Sequence, residues 1–133
     1  MRCDRMEPEL NSNLKGDPRD TTTPEAMARL LRTAMETEYL SKGSHDRLVD
    51  WMKGATTGRG RILAGVPQGW SVAHKTGTSG NGAVNDVAVL FPPEGLPIYL
   101  CVFTTSYRVE DAVLESAIAE ATRQVVAALK PQE

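Results

Sequence analysis

From residue 24 to residue 54 apolar side chains return at helical spacing, with mostly charged or polar residues between them. Met27, Leu30, Leu31, Ala34 and Met35 share one face, which predicts a helix capped by Thr23 with Pro24 at its first position. Gly43 is expected to close that run. Ser44 is expected to cap the next helix, which turns Leu48, Val49 and Met52 inward and stops at Gly54. The period then shortens. Residues 70–76, 86–91 and 98–104 are runs rich in Val, Ile, Tyr, Phe and Thr, separated by Gly80-Asn81-Gly82 and Pro92-Pro93-Glu94-Gly95. Three strands joined in this way predict an antiparallel meander. Residues 109–130 return to the helical period, with Val113, Ala117, Ala121 and Val125 on one side and Leu114, Ile118 and Leu129 widening the stripe. Helices and antiparallel strands in separate blocks make the predicted class α+β.

Residues 5–20 differ in character. They hold Pro8, Gly16, Pro18 and few apolar side chains, so they read as a polar loop, bracketed by the opposite charges of Arg5 and Asp20. With 133 residues, 41% hydrophobic and 24% charged, the chain has room for one domain with a core. A net charge of −2 gives no reason to expect nucleic acid or an anionic membrane as partner. No apolar run reaches the length of a transmembrane helix, and the chain carries no N-terminal secretory signal.

Cys3 and Cys101 are too few and too far apart for a metal site, and no Cys/His cluster accompanies them. An oxidising compartment would let them pair; two buried free thiols are the preferred expectation. His45 reads as a surface residue of a helix. His74, on a strand beside Lys75, reads either as a core histidine or as a support for its neighbour. Ser44-His45-Asp46 is not expected to form a relay, because adjacent residues on a helix point in different directions.

Two segments carry chemistry. In Arg5-Met6-Glu7-Pro8-Glu9-Leu10-Asn11 a carboxylate precedes a carboxamide by four residues in a proline-stiffened loop. Glu7 can take a proton from a water that Asn11 helps to hold. In His74-Lys75-Thr76-Gly77-Thr78-Ser79-Gly80, Lys75 offers a positive charge at a strand end, Thr76 and Thr78 offer hydroxyls, and the glycines let backbone N–H groups approach a substrate. An anionic substrate fits such a site. Arg61, in Thr57-Gly58-Arg59-Gly60-Arg61-Ile62, reads on its own as a solvated loop cation.

Glu7-Pro8-Glu9-Leu10-Asn11 followed by Lys75-Thr76-Gly77 resembles the class A serine β-lactamases. The likeness continues through Arg19-Asp20-Thr21-Thr22-Thr23-Pro24, Leu48-Val49-Asp50-Trp51-Met52, Pro67-Gln68-Gly69-Trp70 and Asn85-Asp86, so nearly the whole chain is covered. The resemblance implies a β-lactamase and penicillin-binding-protein-like fold, with residues 1–133 as an incomplete C-terminal part of one catalytic domain. Within it, residues 5–20 would be the omega loop pinned by Arg5 and Asp20, followed by helices over 24–54, strands within 70–104 and a helix over 109–130.

The same resemblance implies hydrolysis of a β-lactam through a serine acyl-enzyme. Glu7 and Asn11 would deacylate it, Lys75 and Thr78 would be catalytic, and Thr76, Thr78 and Arg61 would hold the substrate carboxylate. The family's alternative arginine position falls at Val84, which cannot serve. No metal or organic cofactor is implied, and the full-length parent would be periplasmic or secreted. The family's Ser-x-x-Lys and Ser-Asp-Asn lie upstream of its Glu-Pro-Glu-Leu-Asn loop; Ser12-Asn13-Leu14-Lys15 spells the former within the Glu7 loop and is expected to be a decoy. The chain alone is therefore expected to be inactive, either as a truncated piece or as a half that works with a complementary N-terminal fragment, and to leave the apolar faces of residues 27–35 and 48–52 uncovered. A penicillin-binding D,D-peptidase also carries Lys-Thr-Gly but has no need of Glu7 and Asn11.

Overall fold

A computed structural model describes residues 1–36 and 38–129. Its middle layer is an antiparallel sheet of β1 (Ser71–Thr78), β2 (Ala83–Phe91) and β3 (Ile98–Thr105), in that spatial order. Ser71 stands opposite Phe91 and Thr78 opposite Val84, while Ala83 faces Thr105 and Leu90 faces Ile98. Because strand side chains alternate, Val72, His74, Thr76 and Thr78 share one face with Val84, Asp86, Ala88 and Leu90. That face is covered by α3 (Ile62–Gly65) and α4 (Asp111–Leu129), and its core is built from Ile62, Val72, Val84, Ala88, Leu90, Leu114, Ile118 and Val126. Ala73 and Val89 on the other face pack with Met52, Leu31, Met35 and Leu48 of α1 (Pro24–Glu36) and α2 (Lys42–Lys53). The predicted class and meander hold.

Element ends differ from expectation for local reasons. Thr23 caps α1 as predicted, its hydroxyl accepting the Ala26 N–H at 3.1 Å. Gly43 does not end that helix; it is the second residue of α2. The cap of α2 is Ser41, not Ser44: Ser41 is extended and its hydroxyl accepts the Ser44 N–H at 3.3 Å. β1 continues to Thr78 and β2 begins at Ala83, so Lys75 to Thr78 lie within a paired strand rather than at its end. The short helix α3 has no counterpart in the predicted elements.

The buried stripe of α4 is displaced by one residue from the predicted one. Leu114, Ile118, Ala119, Thr122 and Val126 are buried, whereas Val113, Ala117, Val125 and Leu129 are exposed and Ala121 is half-buried. Thr122 hides the true stripe in the sequence. It is a polar residue at a core position, satisfied by donating its hydroxyl to the Ile118 carbonyl at 2.8 Å. The last predicted position, 130, lies outside the described residues. Leu30 is exposed and α1 buries no residue fully, while Trp51 on α2 is 69% exposed. Both cysteines are free, but neither is fully buried: Cys3 is exposed and Cys101 half-buried, where burial pushes its thiol up to about 11.

Residues 5–20 are closed at their neck by a two-way set of bonds. Arg5 Nε donates to Asp20 Oδ2 at 2.6 Å, and Asp20 Oδ1 accepts the N–H groups of Asp4 at 2.5 Å and Arg5 at 3.0 Å. Asp4 in turn accepts the Asp20 N–H at 2.9 Å. The loop is also tied to the β1–β2 turn, because Asn13 Nδ2 donates to Ser79 Oγ at 3.1 Å and Asn81 Nδ2 donates to the Ser12 carbonyl. The Arg2 side chain and the Asp20 N–H hold the Asp4 carboxyl down at about 2, and Arg19 holds Asp17 well below the usual range. Burial pushes Asp20 up, but the bonds from Asp4 and Arg5 more than offset it, and the net shift is downward.

Depressed carboxyls stabilise the folded form above the unfolded value and lose that contribution as pH falls through the folded value. The neck should therefore be unchanged from neutral pH down to about 4 and loosen only as the pH approaches about 2. The amide proton shifts of Asp4 and Arg5 report this directly; a transition between about pH 5 and 7 would contradict the assignment. A second expectation concerns α3 against α4. A Cβ at Gly65 would stand 2.3 Å from the Ala119 carbonyl oxygen and 2.5 Å from Thr122 Cβ. Gly65→Ala should cost about 1–3 kcal/mol by urea unfolding, and an unchanged midpoint would show that the two helices are not in close contact.

Candidate active site

β1 is an edge strand, and alternation sends its site residues to opposite sides. Lys75 lies on the α1/α2 side, exposed, with Nζ donating to the Thr76 carbonyl at 2.7 Å. Thr76 and Thr78 lie on the α4 side. Arg61 lies on the α4 side as well.

Arg61 is not a solvated cation: it is 5% exposed. Its Nε donates to Glu115 Oε1 at 2.9 Å, Nη1 to the carbonyls of Asn85 at 2.8 Å and Gly77 at 3.3 Å, and Nη2 to Thr78 Oγ1 at 2.7 Å. A charge taken out of water requires partners of this kind, and the planar fork supplies donors in several directions. The segment before it can lie so close to β1 because residue 58 is glycine. Gly58 has φ +73°, and a Cβ there would stand 2.3 Å from Thr76 Cγ2. Beside it, the hydroxyls of Thr57 and Thr76 share a hydrogen bond of 2.8 Å.

Two residues of this arrangement escape the sequence reading as parts of a site. Glu115 stands fifty-four positions from Arg61, and its only sequence signal is a carboxylate beside the buried stripe of α4. Asp86 is fully buried, with its oxygens 3.1 Å and 3.2 Å from His74 Nδ1, and Oδ2 accepts the Ile62 N–H at 3.2 Å. His74 is thus one half of a buried pair next to Lys75, not an isolated core histidine.

On the loop side, Asn11 Nδ2 donates to Glu7 Oε2 at 2.5 Å, both residues being exposed and standing on either side of Pro8 in the chain. Asn11 and Asn13 line a cleft whose opposite wall is Lys75, Thr76, Gly77 and Asn85. An adjoining recess sets Asn11 against Thr78 and Ser79. The fold therefore brings the loop carboxamide of Asn11 in front of the strand that holds Lys75.

Ser12 Oγ is buried and has no hydrogen-bond partner, whereas Lys15 is exposed. In the other serine triplet His45 Nδ1 is 3.1 Å from Asp46 Oδ1, but Ser44 takes no part. The Ser44 hydroxyl bonds to Ser41 Oγ at 3.0 Å. Among the described residues, no group of three or more His, Cys, Asp or Glu side chains is placed to hold a metal ion, and no helix is long and apolar enough to cross a membrane.

Residues 3–129 match the model of the beta-lactamase enzyme family. A beta-lactamase of Proteus vulgaris is 42% identical over 124 residues, which are 93% of this chain and 46% of that protein. Beta-lactamase CTX-M-4 of Salmonella typhimurium is 46% identical over 104 residues, 78% of this chain and 36% of that protein. Among solved structures, the class A beta-lactamase of the last common ancestor of Gram-negative bacteria superposes with a TM-score of 0.92 at 48% identity, covering 97% of this chain and 49% of that one. The chain spans less than half the length of these relatives. By sequence and by fold it belongs to the beta-lactamase enzyme family, as a portion of a class A beta-lactamase.

Proposed function

We propose that this chain supplies the deacylating carboxylate and the substrate-carboxylate site of a β-lactam hydrolase, the nucleophilic serine coming from the part of the family's domain that it does not span. The observation that carries the reading is Asn11, which bonds to Glu7 and lines a cleft together with Lys75, with buried Arg61 bonded to Thr78 of the same strand. In this reading the serine forms an ester with the opened lactam, and a water held between Glu7 and Asn11 attacks the ester carbonyl. Glu7 takes the water's proton, the Thr78 N–H steadies the oxyanion, and the serine leaves with a proton restored to it. Lys75, Thr76, Thr78 and Arg61 receive the substrate carboxylate. Residues 5–20, as the omega loop, hold the deacylating pair through Arg5 and Asp20. The compartment would be the periplasm or the cell exterior.

Glu7–Asn11 favours this reading over a penicillin-binding D,D-peptidase, which has no need to hand an ester to water. Ser12 is not assigned as nucleophile, because its hydroxyl has no base beside it. The chain alone should therefore leave a chromogenic cephalosporin intact, and hydrolysis should appear when it is combined with a polypeptide bearing Ser-x-x-Lys and Ser-Asp-Asn. In that assembled domain Glu7→Gln should slow deacylation by about 10²–10⁴-fold, so that acyl-enzyme accumulates in the intact mass spectrum. Turnover by the chain alone that Ser12→Ala abolishes, or deacylation unaffected by Glu7→Gln, would overturn the proposal.

A further inference from the structure

We infer that Asp86, acting with His74, is a positioning residue that fixes Arg61 and Lys75 relative to each other, and so sets the grip on a substrate carboxylate. The inference rests on the proposed carboxylate site. Arg61 and Lys75 arrive from different parts of the chain and from opposite sides of β1, and their immediate neighbours converge on one side chain. Ile62, which follows Arg61, donates its backbone N–H to Asp86 Oδ2 at 3.2 Å. His74, which precedes Lys75, turns Nδ1 toward both oxygens of the same carboxylate at 3.1 Å and 3.2 Å.

Asp86 is wholly buried and His74 is 2% exposed, so these bonds do not compete with water. The carboxylate lies in β2, opposite Thr76 in the register, directly beneath the segment that Gly58 lets approach β1. With His74 in its Nδ1–H tautomer two donors meet here at once, and a carboxylate can accept both. An amide of the same shape would turn N–H groups toward one of them. The main-chain positions on either side of Arg61 and Lys75 are then free to shift, and carboxylate binding depends on their spacing to fractions of an ångström.

The test uses the assembled domain, with benzylpenicillin and its methyl ester as probes; the ester lacks the anionic carboxylate. Asp86→Asn should raise KM for the acid about tenfold while kcat changes less than about threefold, and should leave the ester unaffected. His74→Gln, a milder change, should move KM in the same direction for the acid only. Equal losses on both probes, as general destabilisation would give, or an unchanged KM for the acid, would overturn the inference. If the unmodified domain turns over neither probe, the β-lactamase reading fails, and the positioning role is then decided on the 133-residue chain by NMR. There Asp86→Asn should shift the Gly77 and Thr78 amides while those of Glu7 and Asn11 stay in place; unmoved Gly77 and Thr78 signals would reject it.

Discussion

A guanidinium that is 5% exposed must be surrounded by acceptors, and meeting that requirement organises this chain. Arg61 draws on Glu115 of α4, on the Gly77 carbonyl and Thr78 hydroxyl of β1, and on the Asn85 carbonyl of β2. The β1–β2 hairpin and α4 are thereby held together at one end of the sheet. The same bonds direct the cation at the Thr78 hydroxyl. Glycine at 58 and the buried Asp86 are the conditions for the segment to approach β1 at all.

The loop obeys a different constraint. It has little apolar surface to bury, so its shape rests on paired charges and on amide bonds to the β1–β2 turn. These contacts are partly open to water, and ion pairs of that kind contribute little to global stability. Their effect is geometric: they fix the neck of the loop and tie it to the β1–β2 turn beside the cleft that Asn11 and Lys75 line. The fold thus sets a fixed wall, braced by a buried charge, against a loop held by surface electrostatics.

Much of the fold could be read from periodicity. The meander follows from Val/Ile-rich runs and their Gly and Pro turns, and the Thr23 cap from the side-chain chemistry of helix starts. The misreadings cluster where two residues compete for one role. Ser41 and Ser44 both suit the cap of α2, and only the extended backbone at Ser41 decides between them. In α4 the residues around Val113 look more apolar than a stripe containing Thr122, until the bond to the Ile118 carbonyl shows how that hydroxyl is satisfied. Motif chemistry points to Glu7, Asn11, Lys75 and Thr78 as candidates. It was blind to Glu115 and to the role of Asp86, because their importance comes from pairings across 54 and 12 residues that no local spacing encodes.

The central claim, that Arg61 is a buried cation held by Glu115, β1 and β2, is tested most directly by the Arg61 Nε–H resonance in the 133-residue chain. The bond to Glu115 and the exclusion of water predict a resolved signal that exchanges slowly with solvent at neutral pH and is lost in Glu115→Ala. A fast-exchanging signal that coincides with those of the surface arginines and ignores Glu115→Ala would contradict the account.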